Sequence, residues 1–246
     1  MIMYNDLKKI IDENDNIVFF GGAGVSTESG IPDFRSDDGI YNAVTKYGNS
    51  PEEIISRSFF DRNPEKFYDY YKHNLIHAGA KPNEAHLALG RLEARGKLKA
   101  VVTQNIDGLH QMGGSKNVIE VHGSVLRNYC MSCHAFYDLE YIMEQKNCRG
   151  QTPHCEKCGG MIKPDVVLYQ EPLDQNVLSA AVSAIAKADV LIVGGTSLVV
   201  YPAAGFLNYY RGGDLILINK SITDYDSKAK MTIHDSIGMV MRSVVD

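Results

Sequence analysis

The sequence has no run of about 18 apolar residues, which is the length that a membrane-spanning helix needs. Residues 1–12 mix charged with apolar side chains, and we therefore expect no secretory signal peptide. The chain also lacks an excess of positive charge, since its formal net charge is −5, so nucleic acid is not an expected partner. These absences predict a cytoplasmic protein that acts on neither membranes nor nucleic acids.

The cysteine content does not indicate a disulfide-stabilised protein. There are five cysteines, an odd number, and without an export signal they favour metal ligation in a reducing compartment. The composition, with 44% hydrophobic and 22% charged residues, is that of an ordinary globular protein. A chain of 246 residues has room for one large core and a small satellite domain.

Short apolar runs rich in valine and isoleucine alternate with helix-length segments. Because the runs are apolar almost throughout, they predict strands buried on both faces, as in a parallel sheet covered by helices. The runs are residues 17–20, 100–102, 118–121, 190–193 and 215–218. Helices are predicted over residues 83–95 and 174–187. This alternation predicts an α/β fold with a Rossmann-like, doubly wound parallel sheet.

Two segments interrupt the alternation. Residues 36–79 contain aromatic helical pieces without a convincing strand, and residues 125–161 hold all five cysteines. We predict that they form a helical module and a zinc-binding module, which together make a smaller lobe. The discontinuous α/β domain would then consist of residues 1–35, 80–124 and 162–246. A ligand cleft between the lobes would lie at the carboxyl ends of the strands.

A glycine-rich turn, GGAGVST at residues 21–27, follows the first predicted strand directly. Glycines at such a turn let the backbone approach a pyrophosphate, and the helix expected to follow offers its amides to the negative charge. Packing alone can also require such a turn, and that alternative stays open. A hydride-transferring dehydrogenase is disfavoured, because Thr27 stands where its fingerprint has a third glycine and no acidic residue ends a second strand.

Two Cys-x-x-Cys pairs lie 21 residues apart. Each pair can place two thiolates around a metal ion, so two pairs complete a tetrahedral site, whereas four unrelated buried cysteines are the less specific alternative. Four thiolates leave no position for water, so we predict one structural zinc ion, although iron suits the same donors. The predicted ligands are Cys130, Cys133, Cys155 and Cys158. Cys148 and His154 lie nearby as possible substitutes, but we expect Cys148 to be a spare thiol and His154 a surface residue.

Taken together and in chain order, these features resemble the sirtuin family. The segments that carry the resemblance are GAGVSTESGIPDFR at 22–35, TQNIDGLH at 103–110, VHG at 121–123, the two cysteine pairs, KPDVV at 163–167 and GTSLV at 195–199. They span nearly the whole chain. The resemblance implies an NAD-dependent protein lysine deacetylase or deacylase, which transfers the acyl group of an acyl-lysine protein or peptide to ADP-ribose and releases nicotinamide.

The resemblance also implies which residues bind NAD. Those expected to line the diphosphate are Ala23, Gly24 and Ser26. Those on a loop that closes over NAD are Asp33, Phe34 and Arg35, with Phe34 shielding the reacting ribose carbon from water. Those around the nicotinamide and its ribose are Gln104, Asn105 and Asp107. Those on the phosphate and adenosine side are Gly195, Thr196, Ser197, Asn219 and Lys220.

His122 is the general base that the resemblance implies, with Asn105 and Asp107 as further catalytic residues. A histidine titrates near neutrality, so it can take a proton from a ribose hydroxyl at working pH. Without that context, a histidine after an apolar strand is usually structural. The acyl-lysine peptide is expected to bind as an added strand. The residues expected to clamp it are Val166, Val167, Leu168, Tyr169, Leu198 and Val199.

Two positions bear on substrate choice. Gln170 stands where the family usually has glycine, which reduces backbone freedom and adds bulk at the edge of the peptide groove. Tyr68 and Tyr71 align with a tyrosine and an arginine that sirtuins use for negatively charged acyl groups. Because the arginine is missing, we expect neutral acyl groups to be preferred.

Two other functions are kept as alternatives. A mono-ADP-ribosyltransferase would cleave NAD in the same way but pass ADP-ribose to a protein side chain, a transfer that needs no base on the ribose hydroxyl. An inactive module would bind NAD and release no nicotinamide. The presence of His122, Asn105 and Asp107 favours deacylation over both.

Overall fold

The computed structural model describes residues 2–33 and 43–245. Residues 43–47 are helical, and the helices with both ends in this part of the chain are α1 (Ile2–Glu13), α2 (Pro51–Ile54), α3 (Arg57–Arg62), α4 (Pro64–Asn74), α5 (Glu84–Ala94), α6 (Leu109–Met112), α7 (Leu139–Met143), α8 (Gln175–Lys187) and α9 (Ile237–Val245). The strands are β1 (Ile17–Gly21), β2 (Leu98–Thr103), β3 (Val118–Glu120), β4 (Gly123–Cys130), β5 (Phe136–Asp138), β6 (Cys148–Arg149), β7 (Thr152–Pro153), β8 (Ile162–Val166), β9 (Val190–Gly194), β10 (Asp214–Ile218) and β11 (Met231–Ile233).

Six of these strands form one sheet in the order β11-β10-β9-β1-β2-β3, and every pairing in it is parallel. The five predicted strands are confirmed, and the doubly wound fold with them. Burial on both faces is confirmed for β1 and β9 but is wrong for β3, whose side chains are half-buried because it lies at the edge of the sheet. The sixth strand, β11, is too short to stand out as an apolar run.

The two faces of the sheet are covered by different helices. In β1, Ile17 and Phe19 pack in a core shared with α1, α5 and α9. Val18 and Phe20 point to the opposite face and share a core with α8. This alternation follows from the period of two residues in a strand, and it makes every side chain of β1 part of a core.

Helices α5 and α8 are the two that the sequence predicts, and both begin with a side-chain cap. The carboxamide of Asn83 accepts a hydrogen bond from the amide of Ala85, and the carboxylate of Asp174 accepts from the amides of Asn176 and Val177. Capping side chains of this kind satisfy the first amides of a helix, which have no partner inside it. The predicted helix starts are therefore confirmed.

The helical segment and the cysteine-rich segment share a third hydrophobic core. The rings of Phe60 and Phe67 meet edge to face, with centroids 4.9 Å apart, and the same core contains Cys130 and Ile162. Strands β5, β4 and β8 form an antiparallel sheet in this lobe. Since β8 comprises residues 162–166, that sheet extends across the predicted boundary after residue 161, and the division into modules stays a prediction.

Among the helices of the described residues, none is both long and apolar enough to cross a membrane.

Candidate active site

A cleft lies at the carboxyl ends of the central strands, between the sheet and the smaller lobe. Gly22 follows β1, Gln104 follows β2 and Thr196 follows β9, and all three line the cleft. The opposite wall is formed by α4 and by residues 166–171, which we call the 166–171 strip. The carboxyl edge of a parallel sheet is where open α/β folds bind ligands, as the sequence predicts for this chain.

The glycine-rich turn after β1 differs from the prediction. Two short 3₁₀ turns, Ala23–Val25 and Thr27–Ser29, follow the strand, so the expected helix is wrong. The amide of Gly24 donates to the carbonyl of Gly195 at 2.8 Å, and a Cβ on Gly24 would lie 2.8 Å from the Gly195 Cα. Because the two turns contact each other so closely, packing alone requires glycine here, independently of any phosphate.

Ser26, Asn105 and Asp107 form a hydrogen-bonded cluster on the floor of the cleft. The Ser26 hydroxyl donates to Asp107 Oδ2 at 2.6 Å and accepts from Asn105 Nδ2 at 3.0 Å. The other carboxylate oxygen of Asp107 accepts from the amide of Leu109 at 2.8 Å. Each partner fixes the next, so the carboxylate and the carboxamide are held in one orientation.

His122 lies beside this cluster and lines the cleft. Its Nδ1 is 3.0 Å from the carbonyl oxygen of Gln104. A carbonyl can only accept, so Nδ1 carries the proton and Nε2 is the basic nitrogen. The main-chain carbonyl of His122 accepts from the amide of Val167 at 3.0 Å. The ring and the backbone of His122 are therefore both held by residues that are distant in the sequence, Gln104 and Val167.

Gly123, the residue after His122, must be glycine. Its φ is 77°, which disfavours other residues, and a Cβ there would collide with the carbonyl oxygen of Asp165. Strand β4 starts at this residue and pairs with β8. The close approach of the two strands thus explains why glycine follows the histidine.

A second cavity lies on the other side of the glycine turn. The residues predicted for the phosphate and adenosine side meet there with Asp33 and Gly24: they are Gly195, Thr196, Ser197, Asn219 and Lys220. Thr196 lines both cavities, so a dinucleotide could extend from one into the other. The Asn219 side chain accepts from the amide of Thr196 at 3.0 Å and donates to its carbonyl at 2.9 Å, which fixes the turn after β9.

The predicted loop residues Phe34 and Arg35 lie outside the described residues. Ala23, Ser26, Gln104, Asn105 and Asp107 all line the first cavity, as the sequence predicts for nicotinamide and diphosphate contacts. The sequence does not single out Ile31, His77 and Tyr201, which line it too. Tyr71, which the sequence relates to the choice of acyl group, also lines the cavity and is fully buried.

Most main-chain amides of the 166–171 strip already donate hydrogen bonds to other groups of the protein. The amide of Leu168 donates to the Glu171 carboxylate at 2.9 Å, and the amide of Tyr169 donates to the carbonyl of Ile55 at 3.1 Å. With the amide of Val167 bound to the carbonyl of His122 and the amide of Glu171 bound to the carbonyl of Leu168, four amides of the strip are already occupied. An added peptide strand would have to use other groups of this segment.

Two residues predicted to clamp the peptide, Leu198 and Val199, do not line the cleft. Leu198 is buried in the α/β core, and Val199 does not line the cleft although it is 64% exposed. Val200 and Tyr201 line the cleft instead. Leu198 has a φ of 57°, and this local change of direction cannot be read from an apolar sequence pattern.

The four predicted zinc ligands lie together. The Sγ atoms of Cys130, Cys133, Cys155 and Cys158 are all within 4.8 Å of one another. The amides of Ser132 and Cys133 point at Cys130 Sγ from 3.4 and 3.5 Å, which suits a thiolate. Four clustered thiolates fit one tetrahedral zinc ion.

Cys148 lies apart from the four clustered cysteines. Its Sγ accepts from Lys72 Nζ at 3.3 Å and is not part of the metal-binding group found among the described residues. Its role as a spare thiol stays a prediction, consistent with this position.

His86 and His110 form a buried pair behind the cluster of polar residues, with ring centroids 4.7 Å apart. His86 Nδ1 accepts from the amide of Asn83 at 3.2 Å. Desolvation lowers the pKa of His86 to about 4. Desolvation, followed by the neighbouring His86, lowers the pKa of His110 to about 3. Both rings are therefore neutral in the folded protein at neutral pH.

Acid is expected to destabilise the protein through this pair. The unfolded chain binds a proton at each histidine near pH 6.5, whereas the folded protein does so only near pH 4 and pH 3. The stability is therefore present above pH 6.5 and falls as the pH drops below it. Between pH 7 and pH 5.5 the pair should cost about 2.5 kcal/mol of unfolding free energy.

Urea unfolding at the two pH values measures this loss. The matched variant is His110→Phe, because the nitrogens of His110 have no hydrogen-bond partner among the described residues and an apolar ring leaves none unsatisfied. The variant should lose about 1.2 kcal/mol less between the two pH values. Equal losses in both proteins would contradict the assignment.

Known proteins with related sequences were found over the whole chain. The sequence pattern of the Sir2 family matches residues 22–202. A protein of Clostridium perfringens named NAD-dependent protein deacetylase is 63% identical over 243 residues, which are 98% of each chain. A protein of the same name from Clostridium tetani is 57% identical, over 98% of this chain and 96% of its own.

Solved structures with the same fold include Sir2 proteins with ligands. A Sir2 protein bound to acetylated peptide is 35% identical, with a TM-score of 0.85 over 98% of this chain and 96% of its own. A Sir2 homolog in complex with NAD is 39% identical, with a TM-score of 0.86 over 98% and 92%. Because each of these matches covers 98% of this chain, the structural similarity includes the smaller lobe as well as the sheet.

Proposed function

The chain belongs to the Sir2 family, and we propose that it is an NAD-dependent protein lysine deacetylase in which His122 is the general base. The observation that supports this most directly is the hydrogen bond from His122 Nδ1 to the Gln104 carbonyl at 3.0 Å. It leaves Nε2 as the basic nitrogen of a side chain that lines the cleft. A base is required for deacylation and not for transfer of ADP-ribose to a protein.

The two cavities that meet at Thr196 suit an NAD molecule. When bound, NAD supplies a ribose carbon that the acyl oxygen can attack, with nicotinamide as the leaving group. Ala23, Gly24 and Ser26 would hold the diphosphate, and Lys220 with Ser197 would hold the adenosine side. The fit rests on the polar groups that line the two cavities, among them Ser26 and Asn105 in the first and Ser197 and Lys220 in the second.

Asn105 and Asp107 are the proposed residues for the nicotinamide and its ribose. Because Ser26 and the amide of Leu109 fix the Asp107 carboxylate, it presents a preorganised negative face to positive charge that develops at the ribose. Preorganised groups do not have to reorient during the reaction, which is the source of their catalytic effect. Asn105 is held by the same serine hydroxyl.

After nicotinamide has left, His122 would take a proton at Nε2 from a ribose hydroxyl. That ribose oxygen would then bond to the acyl carbon, the bond from this carbon to the lysine nitrogen would break as the nitrogen takes up a proton, and a water molecule would supply the oxygen that completes O-acyl-ADP-ribose. The proton held on Nδ1 keeps the ring in the required tautomer through the Gln104 carbonyl. An acyl-lysine side chain would reach this point between the 166–171 strip and the glycine turn, where apolar Val166 and Leu168 line the wall.

The zinc ion is proposed to be structural. Four thiolates complete its coordination, so it offers no position for substrate or water. A cytoplasmic location is likewise a proposal, and it is supported by thiolates that need a reducing compartment.

A mass-resolved assay tests the function. The purified protein is mixed with NAD and an acetyl-lysine peptide, and we expect loss of the acetyl mass with one nicotinamide released per acetyl group. A succinyl-lysine peptide of the same sequence should react more slowly, since no arginine is among the described residues that line the cleft. Protein-bound ADP-ribose with the acetyl group retained would reverse the choice in favour of ADP-ribosyl transfer.

A further inference from the structure

Gln170 has an unusual backbone conformation for its residue type. Its φ is 76°, in the left-handed region that glycine adopts easily and glutamine does not. The residue lies in the 166–171 strip and lines the cleft. A conformation of this kind persists only when surrounding contacts hold it, so those contacts identify what the position requires.

The contact that holds Gln170 is a hydrogen bond to the smaller lobe. Its side-chain oxygen Oε1 accepts from the amide of Ser58 at 3.0 Å. Ser58 is the second residue of α3, where amides have no partner inside the helix. A glycine at position 170 could adopt the same backbone conformation but could not make this bond.

Neighbouring hydrogen bonds place the Gln170 side chain in a larger junction. The amide of Arg57 donates to the carbonyl of Tyr169 at 2.9 Å, and the amide of Phe59 donates to Ser56 Oγ at 3.3 Å. The first three amides of α3 are thus all satisfied, two of them by the strip. Arg57 also binds the Glu171 carboxylate at 3.0 Å. The strip and α3 are therefore joined on both sides of Gln170.

The main chain of the strip has few groups left for a peptide. The amides of Val167, Leu168 and Tyr169 all donate within the protein. Within residues 2–33 and 43–245, the strip groups that make no hydrogen bond include the Val167 carbonyl and both backbone groups of Gln170. A peptide bound as an added strand needs such groups, because that mode of recognition depends on main-chain hydrogen bonds.

We propose that the Gln170 side chain is a latch that positions the strip for the acyl-lysine peptide. By capping α3 it holds the Gln170 backbone in the conformation that presents its amide and carbonyl to the peptide. Gln170 is a positioning residue, since its side chain acts through its own main chain. The inference rests on the proposed function and names a determinant of peptide affinity in that site.

Three variants at this position distinguish loss of the hydrogen bond to Ser58 from an effect on the whole active site. Gln170→Gly can adopt the same backbone conformation but has no acceptor to hold it there, and Gln170→Asn tolerates the left-handed region but is too short to reach Ser58. Gln170→Glu keeps an acceptor of the same length at a helix start, where negative charge is favourable. Initial rates give KM for an acetyl-lysine peptide, KM for NAD and kcat, and calorimetry gives the peptide Kd without turnover.

The latch predicts a selective change in peptide binding. KM and Kd for the peptide should rise about fivefold in Gln170→Gly and Gln170→Asn, the equivalent of one ordinary hydrogen bond, while kcat and KM for NAD stay within about twofold. Gln170→Glu should stay within about twofold of the parent in all four quantities. Unchanged peptide constants in the glycine and asparagine variants, or equal losses in NAD binding and kcat, would overturn the latch. So would failure of the glutamate variant to retain peptide affinity.

Measurements on the parent protein distinguish an error in the proposed role of Gln170 from an error in the proposed function. A parent that neither deacetylates nor binds the acetyl-lysine peptide would overturn the proposed function, and the latch with it. A parent that is active while all three variants match it would overturn the latch alone.

Discussion

The His122→Ala variant is expected to lose about 1,000-fold in kcat for deacetylation, with KM for NAD changed by less than about threefold. Removal of a positioned base costs about 100-fold to 10,000-fold in typical enzymes. The NAD contacts proposed for Ser26, Asn105 and Asp107 do not involve the imidazole, so binding should persist. Rates are measured by the mass-resolved assay, and NAD affinity by calorimetry.

His73→Ala is a matched control for this variant. His73 lies on α4 with its side chain 62% exposed, next to Asp69, and does not line the cleft. Its removal should leave kcat within about twofold. A His122→Ala variant that keeps more than a tenth of the parent rate would show that another group accepts the proton. Nicotinamide exchange should survive in His122→Ala, because the proton is taken after nicotinamide leaves.

Replacing Cys155 by serine is expected to remove the zinc ion and unfold the smaller lobe. Structural zinc contributes about 10 kcal/mol or more to the folding of small zinc domains. Cys130 and Cys155 are themselves buried in the third hydrophobic core, which they share with α4. Loss of the metal therefore also disturbs the packing of Phe67 and its neighbours. We expect a fall of at least about 10 °C in the melting temperature.

Zinc content and thermal unfolding measured on the same samples check this prediction. The parent should contain one zinc ion per chain, and Cys155→Ser close to none. Cys148→Ser is the matched control, because it removes a thiol that lies outside the metal cluster. It should keep the zinc ion and change the melting temperature by no more than a few degrees. Equal behaviour of the two variants would contradict the assignment of ligands.

The features that the sequence predicts best are those determined by short-range spacing. A Cys-x-x-Cys pair brings two thiolates together locally, so the spacing alone is enough to name all four ligands. A strand buried on both faces shows as an apolar run, and β1 and β9 are predictable for that reason.

What the sequence does not predict depends on contacts between distant segments. The chain after β1 forms two 3₁₀ turns, and Gly24 there contacts Gly195, which lies far away in the chain. The amides of the 166–171 strip are occupied by Ile55, His122 and Glu171, of which two lie far away in the chain. Which backbone groups remain for a peptide is therefore a property of the folded protein and not of any local pattern.

Strand β4 begins at Gly123, directly after His122, and ends at Cys130, a proposed zinc ligand. The pairing of β4 with β8 shifts register between Ser124 and Asn128, so the strand bulges in its middle. Both of its ends are nevertheless paired with β8, at Gly123 and at Cys130. Since this one strand connects the proposed base with a proposed zinc ligand, we expect loss of order at the thiolates to disturb the position of His122 as well.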